Sequence, residues 1–532
     1  MAICSRSLRR ATWQRLVSVS VLATLALSLQ PPSPAHAATF VVDRFDDVFS
    51  AQACTPAPND CSLRGAIEKA FGAAGGDAIN LPAGTYVLSP GPDTEEWGDL
   101  DIQPGDLSIR GAGASTTIID ANGSLTGKGA IYSYGGSGTL SLSRLSITGG
   151  AKGAIISNRS LSMTDVVIDG NSTTGSGGGI YQAGGGVLTL ISVTVSNNQS
   201  VHSGGGIYLF NGSVSVEDST ISGNQVTANG GGGGINIGSS ATGFSFSHTT
   251  ISGNTAFSGG GGVAIEAGSG TFSHVTLASN TAPSSGGGMF VAGTPTVTVS
   301  ESTFIGNTAG GDGGGAYVGG TASMSMVRCT LSGNASNATG SPGGGGGIFF
   351  SNSTRTLTNS TVSGNSAKAD GGGLFSYMPG SSATLTAVTI ADNTPNSDGT
   401  GGGSGGGLYI YNGTVTLAGS IVADNTGAEC VRSAGSLVSS GYNLSSDASC
   451  ELDGPGDLPS TLAGLGPLAD NGGPTQTHAL LPGSQAIDAS SIVICPTIDQ
   501  RGFPRPVGAE CDIGAYEAGW WVLLPVILRQ YP

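Results

Sequence analysis

The chain has 532 residues, of which 93 are glycine and only 10% are charged, against about 25% charged in ordinary globular domains. Its formal net charge is −16, and because residues 1–37 hold Arg6, Arg9, Arg10 and Arg15 and no acid, the remainder stands near −20. That balance argues against nucleic acid or an anionic membrane surface as a partner, and regular alternation of β-branched and apolar residues argues against disorder.

Residues 1–15 form a basic segment, residues 16–29 an apolar run, and Ala35-His36-Ala37 an A-x-A cleavage signal. This reads as a secretory signal peptide over 1–37, too short for a spanning helix. Seven cysteines follow it, in a compartment that permits disulfides. Cys54 with Cys61, Cys430 with Cys450, and Cys495 with Cys511 are the economical pairings, although the sequence leaves the connectivity open. Cys329, in the strand-like VRCTLSGN, reads as a buried free thiol. The absence of a CxxC pair or a histidine cluster speaks against zinc, and no metal site is expected.

Residues 38–123 read as an N-terminal cap with the first coils. Thr39 to Val42 is a strand candidate, and CSLRGAIEKAFG (61–72) puts Leu63, Ile67, Ala70 and Phe71 on one helical face, with Asp60 as its candidate N-cap. Such a helix suits the open end of a stacked structure. The segments 77–89 and 107–123 read as first coils.

Over 124–429 one short unit recurs, as in GGGIYLFNGSVSVEDSTISGN (204–224). A glycine run ends in an apolar residue: Ile180, Ile207, Ile235, Val263, Met289, Ala316, Ile348, Leu374 and Leu408. An asparagine closes each unit: Asn198, Asn224, Asn254, Asn280, Asn307, Asn334, Asn365, Asn393 and Asn425. The first landmark lies 17–19 residues before the second, while the return to the next unit takes 9–15. A packed segment of fixed length with one variable loop is how a stacked repeat behaves. Within a unit the apolar residues alternate, and Asn211-Gly212 is a turn signal. Three short strands bury no face alone, but copies stacked ~4.8 Å apart do, as a parallel β-solenoid. Glycine runs exclude a helical solenoid. Asparagine suits a recurring corner because it tolerates left-handed backbone and its amide can bond the same amide one coil away.

CSLRGAI resembles the CSLREA motif that opens many secreted bacterial β-helix proteins, with Gly65 in place of Glu. Residues 79–123 are similar to the first coils of pectate-lyase-like right-handed β-helices. The GGGI and F/I-x-x-N elements, such as residues 304–307, resemble the repeats of polymorphic outer-membrane proteins. GPLADNGGPTQTHALLPGSQAID (466–488), DQRGFPRP (499–506) and CDIGAYE (511–517) resemble a choice-of-anchor C-terminal region. These resemblances imply an all-β, single-stranded right-handed parallel β-helix of roughly a dozen coils, with an N-terminal helical cap, a C-terminal loop-rich cap or anchor-type region over 430–518 and an apolar tail over 519–532. Two departures stand out: the chain leaves no room after 517 for a membrane β-barrel, and the tail's apolar run is too short to span as a helix.

Enzymes on the fold so implied act on polysaccharides through clustered carboxylates, with Ca²⁺ and a basic residue in the lyases. Asp392 and Asp424, one before each asparagine on successive coils, are the best-aligned acids, with no Arg or Lys beside them. Asp218 shares its phase with Glu301 three coils away. Asp499, Arg501, Asp512 and Glu517 read as loop salt bridges. Asp93, Glu95, Glu96, Asp99 and Asp101 form an acidic loop, either solvated or cation-holding. GxSxG around Ser404 lies in a glycine-rich loop and reads as chance.

The residue after each apolar landmark is aromatic in seven of nine units: Tyr181, Tyr208, Phe290, Tyr317, Phe349, Phe375 and Tyr409. In register these would stack as a broken, outward row, either binding sugar rings or a hydrophobic partner, or stabilising the sheet and lying under the loops. The expectation is therefore a secreted, cell-surface or outer-membrane-associated monomer that binds extracellular glycan or protein without catalysis and without cofactor. The alternatives are a polysaccharide lyase or glycoside hydrolase, the reading under which Ca²⁺ enters, and a passive envelope spacer.

Overall fold

A computed structural model describes residues 37–71, 76–89, 98–123, 129–340, 343–352, 354–400 and 403–519. The signal segment, the acids Asp93, Glu95 and Glu96, and the tail beyond Gly519 lie outside the described residues.

Each coil contributes three parallel strands, represented by Ile180–Gln182, Val187–Ile191 and Thr194–Ser196. Each pairs in parallel with its counterpart one coil on, for example Ile180 with Ile207, Leu188 with Val214 and Val195 with Ile221. Three faces result. The first runs through thirteen coils, from Leu100–Ile102 to Cys430–Arg432, so the stack is ~60 Å long at ~4.8 Å per coil. Some strands join two faces. Ile207–Glu217 is continuous through Asn211-Gly212, with Gly212 at φ 88°, so the expected turn is a bend within one strand.

Strand alternation sends one side chain in two to the interior, where like stacks on like. The inward line of the third face is Val195, Ile221, Ile251, Leu277, Phe304, Leu331, Val362, Ile390 and Val422, all buried. Inside the second face, Phe246 and Phe272 stack with centroids 4.7 Å apart. Arg355 breaks the pattern. It occupies an inward position that Val297, Met324 and Ala383 hold in neighbouring coils. Its guanidinium donates to Val318 O at 2.7 Å and lies over the Phe350 ring, and burial pushes it down to about 9.

The asparagine corner is a continuous buried ladder. Asn171, a position the repeat pattern did not include, begins it, and each side-chain Nδ2 donates to Oδ1 of the asparagine one coil on, at 2.8–3.0 Å, as far as Asn425. The backbone N–H of each donates to the same oxygen, as from Asn280 to Asn307 Oδ1 at 3.0 Å. Glu429 closes the ladder, its two carboxylate oxygens accepting from Asn425 N and Nδ2. The left-handed residue is not the asparagine but the one before it: Asn197, Ser279, Asp392 and Asp424 have φ of 53–60°. The asparagine is chosen for its paired donor and acceptor, not for its backbone.

The expected helix spans Leu63–Phe71, and Leu63, Ala66, Ile67 and Ala70 close the first coils. Its N-cap is Ser62, whose Oγ accepts from Gly65 N at 2.9 Å, while Asp60 caps the preceding turn by accepting from Thr55 N at 3.1 Å. Gly65 is required there: a Cβ would fall 2.0 Å from Ala51 O. The three disulfides pair as Cys54–Cys61, Cys430–Cys450 and Cys495–Cys511, and Cys329 is buried and free.

The C-terminal region does more than cap an end. It reaches back along the third face over four coils: Thr475 Oγ1 donates to Arg328 O at 3.0 Å, Gln500 Nε2 to Thr330 Oγ1 at 2.9 Å, Thr361 Oγ1 to Gln500 Oε1 at 2.7 Å, and Ala515 N to Thr389 Oγ1 at 3.0 Å. Strands Thr330–Ser332, Thr361–Ser363, Thr389–Ala391 and Ile421–Ala423 are consequently buried on both sides, whereas Thr276–Ala278, beyond its reach, alternates. Inside this region Arg501 pairs with Asp499 at 2.7 Å and Arg505 lies 3.4 Å from Glu517, the salt-bridged loops that the sequence suggested.

Candidate binding face

The aromatic row forms in register on the first face. Ring centroids are 5.4 Å apart for Tyr181–Tyr208, then 5.0 Å for Phe290–Tyr317, 5.3 Å for Tyr317–Phe349, 5.0 Å for Phe349–Phe375 and 5.0 Å for Phe375–Tyr409. Within the second run the rings are nearly parallel, at 9–19°. Strand spacing fixes this geometry, since residues in register on parallel neighbours repeat every coil. Tyr132 lies on the same register line but is separated from Tyr181 by Ile156, so the row begins at Tyr181.

Outward placement does not mean exposure throughout. Tyr181, Tyr208, Phe290 and Tyr317 are partly exposed. Phe349 at 2%, Phe375 at 0% and Tyr409 at 9% are buried, forming their own cluster with Tyr317, Tyr377 and Tyr411. The two longest returns between units precede Ile348 and Leu408, and the acids of the glycine-run loops sit close to the rings: Asp312 acts on Tyr317 and Asp370 on Tyr409. Burial pushes all four tyrosine phenols in the row up. The row thus divides between its two readings: Phe349, Phe375 and Tyr409 are buried and stabilise the sheet, and the other four candidate ligand-binding rings remain accessible.

Asp392 and Asp424 do align on adjacent coils, through Ala391 paired with Ala423. Burial, then Asp392, raises the Asp424 carboxyl. Their neighbour comes from far along the chain, where no repeat spacing points to it. His478, delivered by the C-terminal region, sits with Nε2 3.9 Å from Asp392 Oδ2 and 2.8 Å from Ser363 Oγ, and its Nδ1 is 2.7 Å from Gly466 O. The His478 side chain is 1% exposed and Asp392 57%. With both ring nitrogens engaged and the ring sealed, the histidine joins the C-terminal region to the solenoid and is in no position to take a proton from a bound polymer.

A second line of ionisable groups occupies the left-handed corner between the second and third faces. Asp218, His248, His274, Glu301 and Arg328 follow one another on successive coils, each at φ 46–55°. The two imidazoles stack at 4.8 Å, His274 Nε2 is 2.8 Å from Glu301, and Arg328 pairs with the other Glu301 oxygen. His248 and His274 hold the phase that Asp218 and Glu301 share, six residues before Asn254 and Asn280, so the spacing could have found them although only the two acids were read from it. Among the described residues no group of three His, Cys, Asp or Glu side chains could hold a metal ion, and no helix is long and apolar enough to cross a membrane.

Comparison with known proteins bears on the fold. The model of the right-handed beta helix region matches residues 107–282 and 261–449. The chain belongs to the right-handed β-helix family. No curated protein sequence matches it significantly. Solved structures with a similar fold include the catalytic unit of a GH87 α-1,3-glucanase from Streptomyces thermodiastaticus (14% identity, 75% of this chain and 69% of that one, TM-score 0.40). Pectate lyase Pel9A is 13% identical over 91% of this chain and 98% of its own, at a TM-score of 0.34. The A-module of the Azotobacter vinelandii mannuronan C-5 epimerase AlgE6 is 14% identical over 76% and 99%, also at 0.34. At these values the likeness is one of fold and carries nothing about activity.

Proposed function

We propose that this β-helix is a secreted or cell-surface protein that binds extracellular glycan without cleaving it, acting as a monomer and without a cofactor. The observation that carries this reading is the accessible part of the aromatic row, Tyr181, Tyr208, Phe290 and Tyr317, on a face nearly free of positive charge. Aromatic faces with few charges suit the apolar faces of sugar rings. Secretion rests on the signal-like segment 1–37. The alternative, a polysaccharide lyase or hydrolase, is favoured by one observation, the paired acids Asp392 and Asp424.

One experiment separates the two. The purified chain is incubated with acidic and neutral polysaccharides, with and without Ca²⁺, and both retention and release of reducing ends or unsaturated products are followed. Retention without product is expected, weakened about tenfold by Tyr181→Ala with Tyr317→Ala, since each aromatic contact contributes ~0.5–1.5 kcal/mol. Product release abolished by Asp392→Asn would replace the binding reading with the enzymatic one.

A further inference from the structure

The aromatic row is interrupted where Asn236 and Ala264 stand in register between Tyr208 and Phe290. The interruption is a cavity. A space of about 150 Å³ opens on the Phe290 side, lined by Asn236, Ser258, Gly259, Ala264, Glu266 and Phe290. A cavity near this volume admits a benzene-sized ring. Rings elsewhere in the row lie 5.0–5.4 Å apart, so a ring seated over Ala264 would meet Phe290 as Tyr317 does from the other side.

Two features distinguish this opening from a mere lapse in the repeat. The residue before the left-handed glycine of each run is Ser203 and Ser285 in the flanking coils but Gly231 and Gly259 in the two interrupted ones. A Cβ at Gly259 would come within 2.9 Å of the Phe290 ring, and one at Gly231 within 3.3 Å of Ala264 Cβ. Glycine at both positions keeps the loop backbone packed closely on Phe290 and Ala264 without a side chain entering between them. Moreover, Asn236 is 1% exposed, its Oδ1 has no hydrogen-bond partner, and its Nδ2 makes only long contacts, 3.4 Å to Glu266 Oε1 and 3.5 Å to Gly231 O. A buried acceptor without a donor is costly, and a ligand hydroxyl would remove that cost.

Taking the glycan-binding reading as given, we infer that this slot is its specificity-determining subsite, holding a single neutral or N-acetylated pyranose ring stacked on Phe290. The polar groups select that class. Asn236 Oδ1 and the exposed Glu266 carboxylate accept hydrogen bonds, so the ring must donate them, and a uronate would set its carboxylate against Glu266. A hydrocarbon ring would fill the volume and leave Asn236 unpaired.

The test uses the purified chain and the methyl pyranosides of glucose, galactose, mannose, N-acetylglucosamine and glucuronic acid, read by saturation-transfer NMR. At least one neutral or N-acetylated pyranoside is expected to bind, with glucuronide at least tenfold weaker. Ala264→Phe, which continues the stack with a residue type used at this register elsewhere, is expected to abolish that binding while leaving the circular dichroism and melting temperature unchanged. Glu266→Gln is expected to narrow the difference between glucuronide and neutral sugars, an outcome independent of filling. Unchanged binding by Ala264→Phe, or equal binding of glucuronide by the wild type, would overturn the inference. Polysaccharide retention that survives Ala264→Phe and is lost with Tyr181→Ala would overturn the slot and leave the wider reading intact; no retention of any glycan would remove both.

Discussion

The asparagine ladder makes the sharpest energetic claim, and Asn307→Ala tests it. Asn307 is fully buried and holds four contacts: its Oδ1 accepts from Asn280 N and Asn280 Nδ2, each at 3.0 Å, and its Nδ2 donates to Leu277 O and Asn334 Oδ1, each at 2.9 Å. Removal does not harm all partners equally. Asn280 Nδ2 keeps Ile251 O, and Asn334 Oδ1 keeps the Asn307 backbone N–H. The Asn280 backbone N–H loses its acceptor, at about 1–3 kcal/mol, and the other weakened bonds together with the small void add about 1–2 more. The expected loss is therefore about 3 kcal/mol, read from urea denaturation, with amide exchange at Asn280 and Asn307 locating it. Gln199→Ala is the control: Gln199 Nε2 meets Gln225 Oε1 at 3.1 Å on the exposed side of the same corner, and its loss should stay within ~0.5 kcal/mol. If the two variants lie within 1 kcal/mol of each other, the ladder is a consequence of stacking and not a cause of it.

Arg355→Met should stabilise the chain by about 1–3 kcal/mol in the same denaturation assay, because it replaces a buried cation, two of whose guanidinium nitrogens lack partners, with the residue found at that position one coil earlier; a loss of stability would mean that the guanidinium is better satisfied than its contacts suggest. Stability should also fall as pH rises from about 4 to 6. Burial raises the Asp512 carboxyl to about 6, whereas the unfolded chain releases that proton near 3.8; between those values folding takes up a proton, and the contribution, up to about 3 kcal/mol, is complete below 4 and gone above 6. Asp312, Asp424 and Glu429 are raised by burial as well and act in the same direction, whereas the lowered carboxyls Asp43, Asp46, Asp398 and Glu451 act oppositely but lie at or near the surface, where solvent screens their contribution. Thermal unfolding at pH 4.5 and 7 checks this, and a higher melting temperature at pH 7 would contradict it.

The fold was legible because a solenoid writes one packing solution many times. Landmarks such as Ile207 and Asn224 repeat at fixed spacing, and in-register stacking follows from that alone. Asn171, His248 and His274 keep the repeat's own phase and were overlooked, whereas the long-range contacts came from outside it. Gln500 reaches Cys329 and Thr330 across about 170 residues, and His478 reaches Ser363 across 115; no local period encodes such contacts. The alternation that placed Phe375 on the outward side was sound, but alternation says which way a ring points and not whether a loop lies over it. Asn236 and Ala264 were visible as gaps in the row, yet only the structure joins those gaps to Gly231, Gly259 and Glu266 into one space.

In-register stacking also explains the composition, and with it where function should be sought. Every outward position faces its own copy one coil away, so a residue succeeds by complementing itself: asparagine through donor and acceptor, aromatics by stacking, serine and threonine by hydroxyl pairing. A charge repeated in register repels itself, and the ionisable corner accordingly does not repeat one charge: Asp218 is followed by the stacked imidazoles His248 and His274, then by Glu301 paired with Arg328. On this rule a position that gives up self-complementarity requires a reason from outside the stack. Asp392 and Asp424 place like charges on adjacent coils, and the reason is at hand in the C-terminal region that brings His478 to them. Asn236 and Ala264 give up an aromatic stack that resumes at once with Phe290, and no other part of the described chain fills the space. The first departure is answered from within the molecule; the second is left for a ligand to answer.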